Sequence, residues 1–363
     1  MPVGRGSLGR VVFVFLFGCA VLLCGCGDWE VPPGVREGDG LFRTEVWYRW
    51  RWGGGEPDLA YTHLGLLAGG EVAVMGRAVH LVNPATREPI ERIRPARPAD
   101  FVFPGGAPAD FYILGFDTIG GPTLMDKDGA TLWEGLPSGV RVLDVTWGDL
   151  DLDGMPEVYP ATDDGLYRLD ATGNIVWQLS GHLMWQVAVL QPNWSDVPLV
   201  MTHSHENLLQ FWNAEGKLLK EIQSPHSVTH ISPIDWPTDG DLAVVRDGRD
   251  IAIVDTGSWR TVFTDRVYAG LGYVFGTSFA PFRPQRDSEP YLAVLVRYSA
   301  SSQRSMLLVY SPSGDRVYKE ILDRTTTSLC AVPHPNEDGT EFLLVGSGVG
   351  EVTAYHFTGK ADG

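Results

Sequence analysis

The chain has 363 residues, of which 44% are hydrophobic and 11% aromatic, so it can bury a substantial core and is not a disordered polymer. Its 45 Asp and Glu outweigh 28 Lys and Arg, which disfavours a phosphate-tracking nucleic-acid binder, since such a binder needs a basic face. The 43 glycines and 25 prolines point to many short strands joined by tight turns.

Residues 1–25 have the form of a secretory leader. Arg5 and Arg10 precede the apolar run "VVFVFLFGCAVLL", which is too short for a spanning helix. The following "LCGC" resembles a bacterial lipobox, with Gly25 as the small residue and Cys26 as the cysteine that carries the lipid. That resemblance implies membrane association through an acylated N-terminus, in the bacterial cell envelope. By the enteric sorting convention Gly27 favours the outer membrane, which leaves the body in the periplasm or at the cell surface. Residues 26–40, "CGDWEVPPGVREGDG", are expected to be a flexible tether. After processing only Cys330 remains as a free thiol, so no internal disulfide is possible, and Cys330 itself is expected to be a small buried apolar residue on a strand.

The body, residues 41–363, repeats. An apolar strand, a polar turn and a second apolar strand recur around Asn83, Asp126, Asp170, Asn213, Asp255, Ser311 and Thr358. The period is roughly 43 residues, stretched most between Asp255 and Ser311, where "RYSASSQRS" adds length. The clearest unit has strands at Val140–Trp147, Glu157–Ala161, Leu166–Leu169 and Ile175–Leu179, and no stretch shows apolar residues at helical spacing. Seven such units predict an all-β fold, a seven-bladed β-propeller of four-stranded antiparallel blades. The last unit ends before a fourth strand, and "TEVWYRW" at Thr44–Trp50 is an orphan strand at the other end. The expectation is that this N-terminal strand closes the ring and yields a monomeric propeller without an exposed sheet edge.

In "GDLDLDGMPE", Asp149, Asp151 and Asp153 occupy alternate positions, Gly154 permits a sharp turn, Met155 offers its carbonyl and Glu157 closes the run. Such an oxygen-rich loop suits calcium, a hard cation with 6 to 8 oxygen ligands. The other readings are a metal-free Asx turn on the surface and a catalytic carboxylate pair. The loop resembles the calcium loop of FG-GAP and VCBS repeats, as in integrin α-subunit propellers, and "FGTSFA" at Phe275–Ala280 resembles the strand that gives FG-GAP repeats their name. The resemblance implies a structural Ca²⁺ held by Asp149, Asp151, Asp153, Met155 and Glu157, with degenerate loops at Asp235/Asp239 and Asn336/Asp338.

Five of nine histidines fall between His182 and His230. On a strand His203 and His205 would share one face beside Glu206, as a two-histidine metal pair must, with His226 or His230 as a further ligand; polar loop histidines are the alternative. Trp133 and Trp177 are expected to pack between blades, and Trp194 and Trp236 to lie in loops, where they either pack or form a sugar or peptide platform. No G-x-S-x-G, P-loop, zincin or C-x-x-C-H motif occurs, and the adjacent cysteine pair usual in quinoprotein dehydrogenases is missing. The reading is therefore a membrane-anchored, non-catalytic binding or scaffold module that presents a face to an envelope protein or glycan. The alternative is a polysaccharide lyase or hydrolase using the histidine cluster, so the enzyme question stays open.

Overall fold

A computed structural model describes residues 36–38, 40–49, 62–104, 110–118, 120–137, 139–238, 240–267, 274–298, 304–322, 326–337, 339–348 and 350–359. The leader, Cys26, Trp50, Asp239, Asp338 and all of "SASSQ" lie outside the described residues. Among the described residues every regular element is a strand, and they form seven antiparallel sheets in a ring.

Blade 1 comprises His63–Leu66, Val72–Met75, Val79–Val82 and Pro89–Ile93. Blade 2 has Phe101–Pro104, Phe111–Asp117, Gly121–Met125 and Thr131–Glu134. Blade 3 has Val142–Gly148, Glu157–Thr162, Gly165–Leu169 and Ile175–Ser180, and blade 4 has Met184–Leu190, Leu199–Ser204, Leu208–Trp212 and Leu218–Gln223. Blade 5 has Val228–Ile234, Asp241–Arg246, Asp250–Val254 and Thr261–Arg266, and blade 6 has Val274–Phe282, Tyr291–Tyr298, Ser305–Tyr310 and Arg316–Leu322. Blade 7 takes Thr326–Pro333, Glu341–Ser347 and Glu351–Phe357 from the end of the chain and Phe42–Arg49 from its beginning. The first strands meet one another from blade 3 round to blade 2, whose second and third strands touch the first strand of blade 3 and complete the circle.

The chemistry of each strand follows from its place in the blade. Second and third strands are covered on both faces by neighbouring blades, so Glu157–Thr162, Gly165–Leu169 and Ser305–Tyr310 are buried at every position. Fourth strands face solvent along the rim and alternate, as at Ile175–Ser180 and Leu218–Gln223. The core is accordingly divided into seven apolar layers, one per blade interface. Phe103, Val145 and Val158 hold blade 2 to blade 3, and Trp47, Val74 and Leu344 hold blade 7 to blade 1.

The repeat anchors are the turns between third and fourth strands. The backbone N–H of Asp126, Asp170, Asn213 and Ser311 each donates to the carbonyl four residues on, while Asn83 and Asp255 reach five residues. Thr358 makes the same bond across the chain ends, its N–H donating to the Leu41 carbonyl at 2.9 Å. In blades 2 and 3 the third residue of the fourth strand, Trp133 or Trp177, lies over the turn glycine of the next blade, Gly173 or Gly216. Both indole N–H groups donate to that same turn, to Ala171 O at 3.2 Å and Ala214 O at 2.7 Å.

One segment assigned to the tether is structured. Arg36 and Glu37 pair with Glu320 and Lys319 as a fifth strand on the rim of blade 6. Cys330 sits half-buried on the first strand of blade 7, and burial pushes its thiol up to about 12, so it is no reactive thiolate. Trp177→Ala would remove both the packing on Gly216 and the bond to Ala214. The expected loss is about 3 kcal/mol, or about 5 °C in melting temperature by calorimetry, and an unchanged transition would show that the indole does not hold blades 3 and 4 together.

Candidate functional site

Because strands alternate in direction, two kinds of loop emerge on each side of the ring. The front face carries the loops that lead into first strands and those between second and third strands; the back face carries the other two.

The acidic loop lies on the back face, between the first and second strands of blade 3. Two left-handed residues, Leu152 at φ 60° and Gly154 at φ 86°, fold it back on itself. Asp149 caps the turn, accepting the N–H of Asp153 at 3.1 Å and of Gly154 at 2.9 Å, and Asp153 accepts the N–H of Met155 at 2.7 Å. One carboxylate oxygen from each of Asp149, Asp151, Asp153 and Glu157 lies within 4.8 Å of all the others. That is the span of oxygens around one cation at 2.3–2.6 Å.

A residue that sequence reasoning passed over also enters this cluster. Arg168, on the third strand, is buried and donates to Asp151, to Glu157 Oε1 at 2.6 Å and to the Ala214 carbonyl of blade 4 at 2.6 Å. Glu157 is equally buried, with its other oxygen accepting from the Leu150 N–H and the Tyr159 hydroxyl. Burial raises the Glu157 carboxyl, while Arg168 holds the more exposed Asp151 below its ordinary range despite its partial desolvation. One guanidinium against four acids leaves the loop strongly negative.

The histidine cluster does not assemble as a strand face. His203 is buried on the second strand of blade 4, where burial lowers it to about 4. His205 follows the strand end and is exposed, 3.9 Å from Glu206, because the strand stops at Ser204. His226 stands on the next front loop, 3.5 Å from Asp247. Among the described residues the acidic loop alone brings three or more metal-ligating groups together. The loop tryptophans are packed rather than displayed: Trp236 is buried and donates to the Pro290 carbonyl, and Trp194 lies against Phe211 and under the Lys220 ammonium at 4.9 Å.

A second constellation forms where the first strands begin, around the front end of the axis. In blades 3 to 7 the first strand has a register shift near its start, and the residue just after it is Asp144, Gln186, His230, Gly276 or Ser328. His63 and Asp100 stand at the start of the first strands of blades 1 and 2. Each reaches a neighbour. His63 Nε2 is 3.4 Å from Asp100 Oδ1, the Asp144 carboxylate accepts the Val187 N–H at 3.1 Å, Gln186 Nε2 is 2.9 Å from His230 Nδ1, and Ser328 donates to the Thr62 carbonyl at 2.7 Å. In blade 6 the glycine makes room for Arg297 from the second strand, whose Nη2 would be 2.5 Å from a Cβ at Gly276. Beside Gln186, within the register shift, Trp185 is 48% exposed, the most exposed tryptophan side chain among the described residues. Single polar residues spaced a blade apart leave no sequence motif, which is why this ring was missed.

The ring is electrically tense. Burial, helped by the Arg297 charge, lowers His63 and His230 to about 4. Burial raises Asp100 to about 6 and Asp144 to about 7 against the pull of their backbone N–H donors. His80 and His203, also desolvated, stand at about 4. These four histidines take up protons on unfolding below pH ~6.5, while the two aspartates release protons on unfolding above pH ~4. The histidine contribution outnumbers the aspartate one, so stability is expected to rise as pH goes from 4 to 6.5 and then to level off. Melting temperatures across that range would check the sign; a fall with rising pH would contradict it.

Three comparisons bear on this geometry. The model of the lambda-carrageenase β-propeller domain family matches residues 117–233, from the end of the second strand of blade 2 into blade 5. A curated lambda-carrageenase of Pseudoalteromonas sp. is 29% identical over 98 residues, 27% of this chain and 10% of that enzyme, so the aligned region spans about a tenth of its relative. Among solved structures, BBS1N in complex with ARL6DN, soaked with lead, aligns with a TM-score of 0.56 at 11% identity over 90% of this chain and 96% of that one. A chain of the Mitotic Checkpoint Complex aligns with a TM-score of 0.58 at 14% identity over the same shares. At such identities the solved structures speak for the fold alone. The protein is a seven-bladed β-propeller, and its propeller is related at weak identity to that of a glycan-acting carrageenase.

Proposed function

We propose that the chain is a lipid-anchored, non-catalytic β-propeller of the bacterial envelope that binds a glycan at its front face and carries a structural calcium ion at its back. The observation that carries the glycan part is the carrageenase-propeller match. Residues 117–233 contain Trp185, Asp144, Gln186 and His230, so the related segment spans an exposed indole and three polar residues of the axial ring. A flat amphipathic ring beside hydrogen-bonding groups is the ordinary means of holding a sugar, whose faces are apolar and whose edges are polar. Binding without turnover is preferred because Asp100 and Asp144, the acids of the ring, are already bound to backbone N–H groups of Phe116, Val145 and Val187.

Titration of the purified protein with lambda-carrageenan and neutral galactans, together with a reducing-end assay, checks this reading. The expected result is saturable binding without new reducing ends, weakened by Trp185→Ala. Turnover abolished by Asp144→Asn would instead establish a hydrolase, and a lack of binding to any glycan would transfer the front face to a protein partner of the envelope.

For the metal, Asp149, Asp151, Asp153 and Glu157 supply the carboxylates and Met155 its carbonyl, with Arg168 compensating part of their charge when the cation is absent. Extracellular sites of this kind bind with dissociation constants on the order of 10⁻⁴ to 10⁻³ M. Calcium at about a hundredfold excess would then stabilise the fold by about 2.7 kcal/mol. Calcium is expected to raise the melting temperature, with chelator restoring the original value and Asp149→Asn with Asp153→Asn abolishing the response. Equal melting temperatures with and without calcium would leave Arg168 as the loop's own cation.

A further inference from the structure

We infer that a cavity on the back of blade 7 is a transition-metal site, in which His334 and His356 hold one zinc ion that braces the closing N-terminal strand. The inference stands apart from both the glycan and the calcium readings.

His334 opens the loop after the first strand of blade 7, and His356 lies on the third strand. Both line a cavity of about 240 Å³, with ring centroids 5.8 Å apart and planes at 80°. With zinc–nitrogen bonds of about 2.0–2.1 Å, two imidazoles on one ion have ring centres roughly 5 to 6 Å apart, so the pair already has the spacing of two ligands. Phe342 holds both rings in place. It stacks on His356 at 4.9 Å and meets His334 edge-on at 5.9 Å.

The nitrogens are prepared for a metal. Glu45, on the strand from the beginning of the chain, is 3.0 Å from Nε2 of His356. A carboxylate only accepts, so Nε2 carries the ring proton and Nδ1 keeps its lone pair. That Nδ1 is buried and has no hydrogen-bond partner. Glu45 is in turn held by Arg87 of blade 1 at 2.6 Å. A carboxylate behind an imidazole is the arrangement that orients a metal ligand and raises its basicity. On His334, Nδ1 accepts the Asn336 N–H at 3.3 Å, a long bond in an exposed turn that a metal ion outcompetes.

The surroundings favour a cation of this type. Glu337 and Glu341 line the same cavity, two carboxylates against the single guanidinium of Arg43, and with water they complete the coordination shell. Pro333 pairs with Glu341 as Gly148 pairs with Glu157, so the loop stands in blade 7 where the acidic loop stands in blade 3. His334 thus takes the place of Asp149, and Gly339 at φ 76° turns the chain as Gly154 does. Imidazole with carboxylate suits zinc or copper, whereas calcium takes oxygens alone. An ion here ties the loop to the third strand and, through Glu45, to the fourth, so the last step of ring closure gains a metal brace.

Calorimetric titration of the tag-free full chain with Zn²⁺, in the presence of calcium, tests this alongside His334→Gln, Glu45→Gln and a front-face control with His205→Gln and His226→Gln together. One zinc per chain is expected. Glu45→Gln should weaken binding about tenfold, and His334→Gln, which leaves the strand pairings of blade 7 untouched, should weaken it further. The front-face control should bind as the parent does. With Cu²⁺ as the probe, electron paramagnetic resonance should show two nitrogen ligands in the parent and one in His334→Gln. Zinc should also raise the melting temperature of the parent and leave that of His334→Gln where it was. Zinc affinity unchanged by His334→Gln, lost in the front-face control, or absent from the parent would each overturn the site. A zinc-bound parent that melts no higher than the zinc-free chain would overturn the bracing role.

Discussion

Everything in this molecule depends on closing a ring whose two ends are far apart in the chain. A blade alone has two apolar faces and two open edges, and it becomes stable only when both faces are covered by neighbours. The pairing of Phe42–Arg49 with Glu351–Phe357 performs that closure, placing Phe42 and Trp47 in the layers on either side of blade 7. Its energetic return comes from all seven layers at once, because an open ring would expose two of the faces that make the middle strands apolar throughout.

Between blades, the same contact recurs in altered dress. Trp133 and Trp177 lie over glycines of the following blade, and Phe263 lies over Gly314 in the same manner. At the junction of blades 4 and 5 the partners are exchanged: the fourth strand supplies Lys220, and the next turn supplies Trp259, whose φ of 60° puts it in the left-handed conformation the glycines adopt elsewhere. The Lys220 ammonium sits 5.0 Å from the Trp259 ring and 4.9 Å from Trp194. An aromatic on glycine has become a cation between two aromatics, a contact of comparable reach that keeps the spacing of the ring.

Much of the fold was legible because it is written in local chemistry repeated many times. The polar anchors from Asn83 to Ser311 mark turns, and even the odd anchor Thr358 makes the expected bond, though to Leu41 at the other end of the chain. The acidic loop was legible for the same reason, its alternate aspartates being neighbours in sequence. What escaped was whatever the ring assembles from single residues. Arg168 looks like an ordinary strand residue until the acids from the preceding turn close on it. His203 and His205 look like a pair until the strand end buries one and exposes the other. Gly276 stood out only for its place in a family-like motif, and its use as a passage for Arg297 depends on a strand pairing that no window of sequence displays.

The short pairing of Arg36 and Glu37 with the rim of blade 6 fixes more than two residues. It sets the point from which a lipid on Cys26, as proposed above, would be strung: ten residues upstream, a reach of at most about 35 Å. On that proposal the ring would be attached at its rim rather than at either mouth, which leaves the front loops and the acidic back loop both clear of the attachment point.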